Sequence, residues 1–289
     1  MSEETTISTK LFDQYEMYDQ IGQGGYGDVF LAKDLERDKN IALKISSPRF
    51  SFKYRERLLF TLQEGRALSK LRHKNIPELY SHGMMKINKT RVHYIAMELV
   101  PNTSLKDALK KGVVRHWSKA EKNKLLLDTA RALAYAHEKG IIHGDVTPGN
   151  IACSLENIDE KATVIDWGLA RFDDETMGNP ERPKNTVWGT FGFMSLEQMQ
   201  GYTPCSFASD AFSFGMTAFN LFLNTYNYLA DRNDNINSLC CKTWFELYGT
   251  SFRCMPEEHK EFLKDIILTN PYHRPTMKDA VKHLEELVD

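Results

Sequence analysis

No two of the five cysteines (Cys153, Cys205, Cys240, Cys241, Cys254) are spaced as Cys-x-x-Cys, and their number is odd. That is a poor basis for a disulfide framework and points to a reducing, cytoplasmic compartment. No apolar run approaches the ~18 residues needed to cross a bilayer, so no membrane anchor is expected. The stretch Met1 to Lys10 is polar and rich in Thr, Ser and Glu, which excludes a signal or transit peptide. No sign of charge dominates: the net charge is −2, so a nucleic-acid or membrane-surface partner is not expected. Internal repeats are absent as well. What remains is ordinary globular composition, 42% hydrophobic and 26% charged over 289 residues. That length suits one large domain or two lobes sharing a cleft.

Up to about residue 100 the chain reads mainly as short strands. Val29 to Ala32 and Ile41 to Ile45 flank a charged turn from Lys33 to Asn40, the pattern of a hairpin. Leu58, Leu59, Leu62, Leu68 and Leu71 recur at helical spacing between Tyr54 and Leu71, and a further strand is expected at Val92 to Met97. Pro101-Asn102-Thr103 is a turn and a hinge. Beyond it helices are expected at about 104–111, 118–139, 195–200, 207–224, 257–268 and 276–288. Asn224 to Asn237 reads as a loop.

Two carboxylates stand in chemically pointed surroundings. Asp145 lies in His143-Gly144-Asp145-Val146-Thr147-Pro148-Gly149-Asn150, and Asp166 opens Asp166-Trp167-Gly168 at the end of the apolar run Ala162 to Ile165. An Asp followed by an Asn five positions on, with a second Asp at a strand end, suits metal-assisted phosphoryl transfer. Gly22-Gln23-Gly24-Gly25-Tyr26-Gly27 is a G-x-G-x-x-G loop, but Asp28 to Ala32 continues as a strand where a dinucleotide site needs a helix. Glycines between two antiparallel strands let backbone approach phosphates closely. Lys44 on the next strand sits among Ile41, Ala42, Leu43 and Ile45, so it needs a partner. Glu64, on the following helix, is the natural candidate.

In this order and spacing the chain resembles a eukaryotic-type Ser/Thr protein kinase catalytic domain over about Tyr15 to Leu287. The likeness is carried by the glycine loop, Ile41-Ala42-Leu43-Lys44, Glu64, Met97-Glu98-Leu99-Val100, the catalytic loop, Asp166-Trp167-Gly168, Gly189-Thr190, Ser195-Leu196-Glu197, Asp210 and Arg274. It implies an α+β fold: a small antiparallel sheet lobe with one helix (about 15–100), then a larger helical lobe (about 101–289), after a tail at 1–14. It implies ATP and Mg²⁺ as cofactors and a protein substrate with a Ser or Thr acceptor, which Thr190 favours over Tyr. Asp145 is expected to be the base. Asn150 and Asp166 are expected to hold the metal, and Lys44 with Glu64 the phosphates. The nucleotide is expected against Ile21, Gly22, Gly24, Gly25, Gly27, Val29, Ala42, Met97, Glu98, Val100 and Ala152. Asp210 is expected to anchor the catalytic loop, and Glu197 to pair with Arg274. Leu68, Leu79, His143 and Trp167 are expected to stack across the lobes, leaving His143 and His137 architectural.

The chain departs from the family at several positions. Gly144 replaces an Arg that meets a phosphate on the activation segment, so switching by phosphorylation at Thr176 or Thr186 is not expected to be required. Thr147 replaces a Lys that steadies the γ-phosphate, a loss worth ~3–4 kcal/mol by analogy with other electrostatic sites. Lys184 and Arg171 are candidates to compensate. Ala152 replaces a larger apolar residue under adenine. These substitutions make a weakly catalytic pseudokinase scaffold the alternative. The His-Gly-Asp-x-x-Pro-x-Asn loop also resembles that of small-molecule kinases, but Gly189 to Glu197 resembles a peptide-binding segment that those enzymes lack.

Overall fold

The computed structural model describes residues 9–11, 14–23, 27–46, 54–87, 90–156, 160–174, 187–200, 205–226, 251–268 and 270–288. Gly24, Gly25, Thr176, Lys184, Thr186 and most of the expected Asn-rich loop lie outside them. The first part of the chain is a six-stranded antiparallel sheet, ordered β1-β2-β3-β4-β6-β5. Its strands are β1 (Thr9–Leu11), β2 (Tyr15–Gln23), β3 (Asp28–Asp34), β4 (Lys39–Ile45), β5 (Leu79–Ile87) and β6 (Thr90–Glu98). Helix α1 (Tyr54–Leu68) lies between β4 and β5. The edge strand β1 pairs Thr9 with Met17 and Leu11 with Tyr15, in the stretch read from sequence as a tail.

Alternation along β4 decides what the sheet offers each side. Ile41, Leu43 and Ile45 join Tyr15, Ala32, Val92 and Ala96 in one apolar layer. Ala42 and Lys44 therefore point to the opposite face. The register places Ala42 opposite Met97, and Lys44 opposite Val29 on one side and Ile95 on the other. Directly opposed residues share a face, so Val29, Ala42, Lys44 and Met97 form one surface. The turn after β3 is held by Asp34, whose Oδ1 accepts the backbone N–H groups of Glu36 (3.0 Å) and Arg37 (3.1 Å).

The second part is mainly helical: α2 (Leu105–Lys110), α3 (Lys119–Glu138), α4 (Leu196–Gln200), α5 (Phe207–Leu223), α6 (Glu257–Ile266) and α7 (Met277–Val288). Ser104, Ser118 and Ser206 start α2, α3 and α5 with reciprocal capping boxes, to Asp107, Glu121 and Ser209. Helix α5 is buried from Ser209 through Leu221, which makes it the axis of this lobe. It approaches α6 so closely that a Cβ on Gly215 would stand 2.5 Å from the Ile266 Cγ2. Two short ladders, β7 (Ile141–Ile142) with β10 (Arg171–Phe172) and β8 (Ile151–Ala152) with β9 (Thr163–Val164), carry the loops that face the sheet. The lobes share one core: Leu68, Leu71, Ile76 and Ile95 cluster with Trp167, Phe212 and Phe219, and Leu79 packs against them. His143 lies against the Trp167 ring at 4.6 Å, completing the expected stack.

Candidate active site

A cleft of about 660 Å³ opens between sheet and helices. That is within the range of small-ligand sites. Its roof is the face fixed by strand register: Ile21, Gly22, Val29, Ala42 and Lys44. Met97, Glu98 and Val100 form its back, and Ile165 and Asp166 lie on its floor. The backbone N–H of Glu98 already donates to Glu78 O at 2.8 Å, so the donor at that position is taken.

At the inner end, Lys44 Nζ donates to Glu64 Oε2 at 2.6 Å and to Asp166 Oδ1 at 2.9 Å. Lys44 and Glu64 are almost wholly buried, so the pair is viable only because each neutralises the other. Burial works against the Lys44 ammonium, but Asp166 and Glu64 outweigh it and hold its pKa above the ordinary lysine range. Burial pushes the Glu64 carboxyl up to about 7, against the pull of Lys44. Burial also disfavours ionised Asp166, but Lys44 outweighs it and holds that carboxyl below the aspartate range. Asp166 adopts φ 60°, a left-handed conformation costly for a residue with a Cβ, as is common where function fixes the backbone.

Asp145 stands on the opposite wall. Thr190 reaches both its oxygens: the Thr190 N–H donates to Oδ1 at 2.8 Å and its hydroxyl to Oδ2 at 3.2 Å. Asn150 Nδ2 donates to Asp145 Oδ2 (3.1 Å) and to its backbone carbonyl (2.8 Å). Asn150 thereby keeps its own carbonyl oxygen, a hard donor, for another partner. Burial raises the Asp145 pKa above the ordinary range, against the Thr190 hydrogen bonds. The loop is suspended from Asp210 at the start of α5, which accepts the N–H of His143 (2.7 Å), the N–H of Gly144 (2.8 Å) and faces His137 Nε2 at 2.9 Å. Gly144 has φ 81°, and a Cβ there would lie 2.8 Å from Leu169 O and 3.2 Å from Cys205 Sγ. Arg274 grips Glu197 with both terminal nitrogens, at 2.5 and 3.0 Å, which fixes α4 beneath this wall.

The structure therefore brings Lys44, Glu64, Asp145, Asn150 and Asp166 to one cleft, with the expected roof and hinge residues. Gly24 and Gly25 lie outside the described residues. Gly27 and Ala152 do not line the cleft: Gly27 packs where a Cβ would meet Ile45 O at 2.7 Å, and Ala152 is buried in the β8–β9 ladder. Thr147 does line it. Lys106 and Tyr226 also line it and were not anticipated from sequence. Tyr226 stands two residues after the left-handed Asn224 that caps α5 (φ 53°), at the start of the stretch expected to be a loop. Among the described residues no group of three or more His, Cys, Asp and Glu side chains forms a self-contained metal site, so a metal here would need ligand oxygens as well.

Residues 15–284 match the model of the protein kinase domain. Among curated relatives, the chain is 30% identical over 233 residues to serine/threonine-protein kinase PknB of Mycolicibacterium smegmatis, covering 78% of this chain and 35% of that protein. It is 30% identical over 229 residues to a probable serine/threonine-protein kinase of Clostridium acetobutylicum, covering 78% and 32%. It is also 25% identical over 273 residues to calcium/calmodulin-dependent protein kinase type 1 of Caenorhabditis elegans, covering 94% and 74%. The chain thus spans about a third of the bacterial relatives' length. With its two-lobed α+β architecture and the cleft between the lobes, the chain belongs to the protein kinase domain family.

Proposed function

We propose that this chain transfers the γ-phosphoryl group of ATP to Ser and Thr hydroxyls of protein substrates. One observation carries the reading: Asp145, clamped by Thr190 and Asn150, shares a single cleft with the Lys44–Glu64–Asp166 cluster. One wall offers a positioned carboxylate to an incoming hydroxyl, and the other a buried ammonium to phosphate oxygens. Asp145 orients the acceptor hydroxyl and takes its proton late in the transfer; its raised pKa suits a proton acceptor. The Lys44 ammonium, held in place by Glu64, fixes the phosphates.

The donor set fits a hard divalent cation. The Asn150 carbonyl oxygen and the second Asp166 oxygen would hold the ion, and Mg²⁺ there would supply charge neutralisation at the phosphate oxygens. The cleft volume accommodates a nucleotide beneath Val29 and Ala42 and in front of Met97. We assign residues 15–100 to the small lobe and 101–289 to the large one. The free Cys153 and Cys254 accord with a cytoplasmic setting. No helix among the described residues is long and apolar enough to cross a membrane.

Activity is proposed not to need a phosphate on the activation segment. Trp188 packs edge-on against Phe60 of α1 at 4.7 Å, and Gln63 Nε2 donates to Ala170 O at 2.9 Å. These contacts tie the segment to the helix that carries Glu64. Incubation with radiolabelled ATP and a generic protein acceptor, followed by acid hydrolysis, tests the reading. Labelled phosphoserine and phosphothreonine are expected; label confined to small metabolites would contradict it.

A further inference from the structure

Two lysines of α2, Lys106 in the lining of the cleft and Lys110 one turn on, approach the Tyr226 ring. Lys106 and Lys110 are four residues apart, on one helix face, with their ammonium groups 5.3 and 5.2 Å from the centroid of the Tyr226 ring. Like charges at this spacing repel, and Asp107 is the one carboxylate on α2 to offset them. Asp107 between them is committed to the helix cap, accepting from Ser104 N (2.9 Å) and Ser104 Oγ (2.6 Å). Neither lysine forms an ion pair among the described residues. Other lysines of the same lobe do form ion pairs: Lys119 with Glu258, Lys161 with Glu98, Lys278 with Glu138.

The patch adjoins the reacting atoms. The Lys106 stem lies over the catalytic loop, its Cδ 3.6 Å from where a Gly149 Cβ would stand. The lysine stem thus runs past Gly149, next to Asn150. Tyr226 is close enough to Asp145 for that carboxylate to help raise its phenol pKa, behind the larger effect of burial. Lys106, Tyr226, Asp145 and Thr190 all line the same cleft. Three extended residues span about 10 Å, enough to carry a side chain from Asp145 to this wall.

Resting on the kinase reading above, we infer that Lys106 and Lys110, held over Tyr226, select acceptor segments that bear an anionic side chain within about three residues of the Ser or Thr. The anion is a carboxylate or a phosphate. Charge complementarity favours this: two ammonium groups with no ion pair among the described residues attract an anion at the rim, while a basic flank is repelled.

The experiment uses the full chain with ATP and Mg²⁺, and three peptides that share one Ser acceptor. They are flanked within three positions by Glu, by Gln or by Lys; a fourth carries phosphoserine in place of Glu. Wild type is expected to favour the Glu peptide over Gln by about five- to tenfold in kcat/KM, chiefly through KM, as two partly exposed ion pairs allow. The K106M/K110M variant should bring that ratio to within about twofold of one, and K106E/K110E should invert the order so that Lys is preferred to Glu. Phosphoserine above Glu would identify phosphate as the anion, and Glu equal or above would identify carboxylate. A wild type indifferent to the flank, or an acidic preference that survives in K106M/K110M, would overturn the assignment. Fluorescence anisotropy of the Glu and Gln peptides on the same proteins reads binding without transfer. If no peptide is phosphorylated but the Glu peptide binds more tightly in wild type alone, the transfer reading falls and this one stands. Equal binding of both peptides would count against it even in an active enzyme.

Discussion

Thr190 holds both oxygens of Asp145, one through its backbone N–H and the other through its hydroxyl. The two residues lie 45 apart in sequence, and the hydroxyl contact occurs beside a loop whose position 147 is Thr. Position 147 offers no lysine, and among the described residues the side-chain and backbone donors to the Asp145 carboxylate are the neutral Thr190 and Asn150. Thr190→Val removes the hydroxyl and keeps the shape. Hydrogen bonds to charged groups contribute about 1.5–3 kcal/mol, so kcat should fall roughly 10- to 100-fold. The KM for ATP should stay within about twofold. Thr190→Ser should recover most of the rate. Steady-state kinetics of the three proteins checks this, and an unchanged kcat in the valine variant would show that the hydroxyl contact is idle.

Gly144 is required by its backbone, not merely tolerated. Its φ of 81° and the 2.8 Å approach of Leu169 O leave no room for a side chain. Gly144→Ala should cost about 1–3 kcal/mol, a fall of roughly 3–10 °C in Tm. Because the Gly144 N–H bonds Asp210, activity should fall with it. Differential scanning fluorimetry with a parallel activity assay measures both. A variant with wild-type Tm would remove the steric argument for this departure from the family pattern.

The pH dependence follows from two carboxyl groups displaced upward. Glu64 must be ionised to pair with Lys44, and burial lifts its pKa to about 7 from 4.5. Asp145, also raised, must be ionised to accept a proton. Activity should therefore rise with pH through about 7, and Asp166, held low by Lys44, should add no limb there. The sign for stability is opposite. A carboxyl with a raised folded pKa favours the fold while protonated, so the Glu64 contribution is complete below 4.5 and is lost as pH rises through about 7. A kcat/KM profile whose acid limb falls below pH 5 would contradict the assignment.

Coupling of the activation segment to α1 is read from Trp188 and Phe60. An aromatic pair of this kind contributes about 0.5–1.5 kcal/mol, so Trp188→Ala should lower kcat roughly three- to tenfold. Phosphatase treatment of the wild type should change its rate by less than about twofold. Stoichiometric phosphate on the active protein, with activity lost on its removal, would replace this contact with a phosphorylation switch.

Local signals made much of this legible in the sequence. Ser118 with Glu121 marks the start of α3, and strict alternation through Ile41, Leu43 and Ile45 turns Lys44 away from the apolar layer. Ordered motifs supplied the proposed catalytic set even though Lys44 and Asp166 lie 122 residues apart. What was not legible depends on how elements pack. Lys106 reads as one more surface lysine on a short helix until the fold lays its stem along Gly149. Tyr226 belongs to the site only because α5 ends at Asn224 and turns the chain back toward Asp145. Gly27 packs against Ile45 and Ala152 pairs with Thr163, neighbours that the sequence pattern does not show. The edge strand at Thr9–Leu11 carries no sequence pattern strong enough to separate it from the polar stretch before it.

The central claim is that Asp145 and Asp166 serve one phosphoryl-transfer centre. Its most direct test is transfer of radiolabelled phosphate from ATP to a generic protein by wild type, Asp145→Ala and Asp166→Ala, with nucleotide binding measured in parallel. The account predicts transfer by wild type and a loss of at least about a hundredfold in each variant, with nucleotide still bound by Asp145→Ala. Wild-type transfer no greater than that of the two variants would contradict it and leave a nucleotide-binding scaffold.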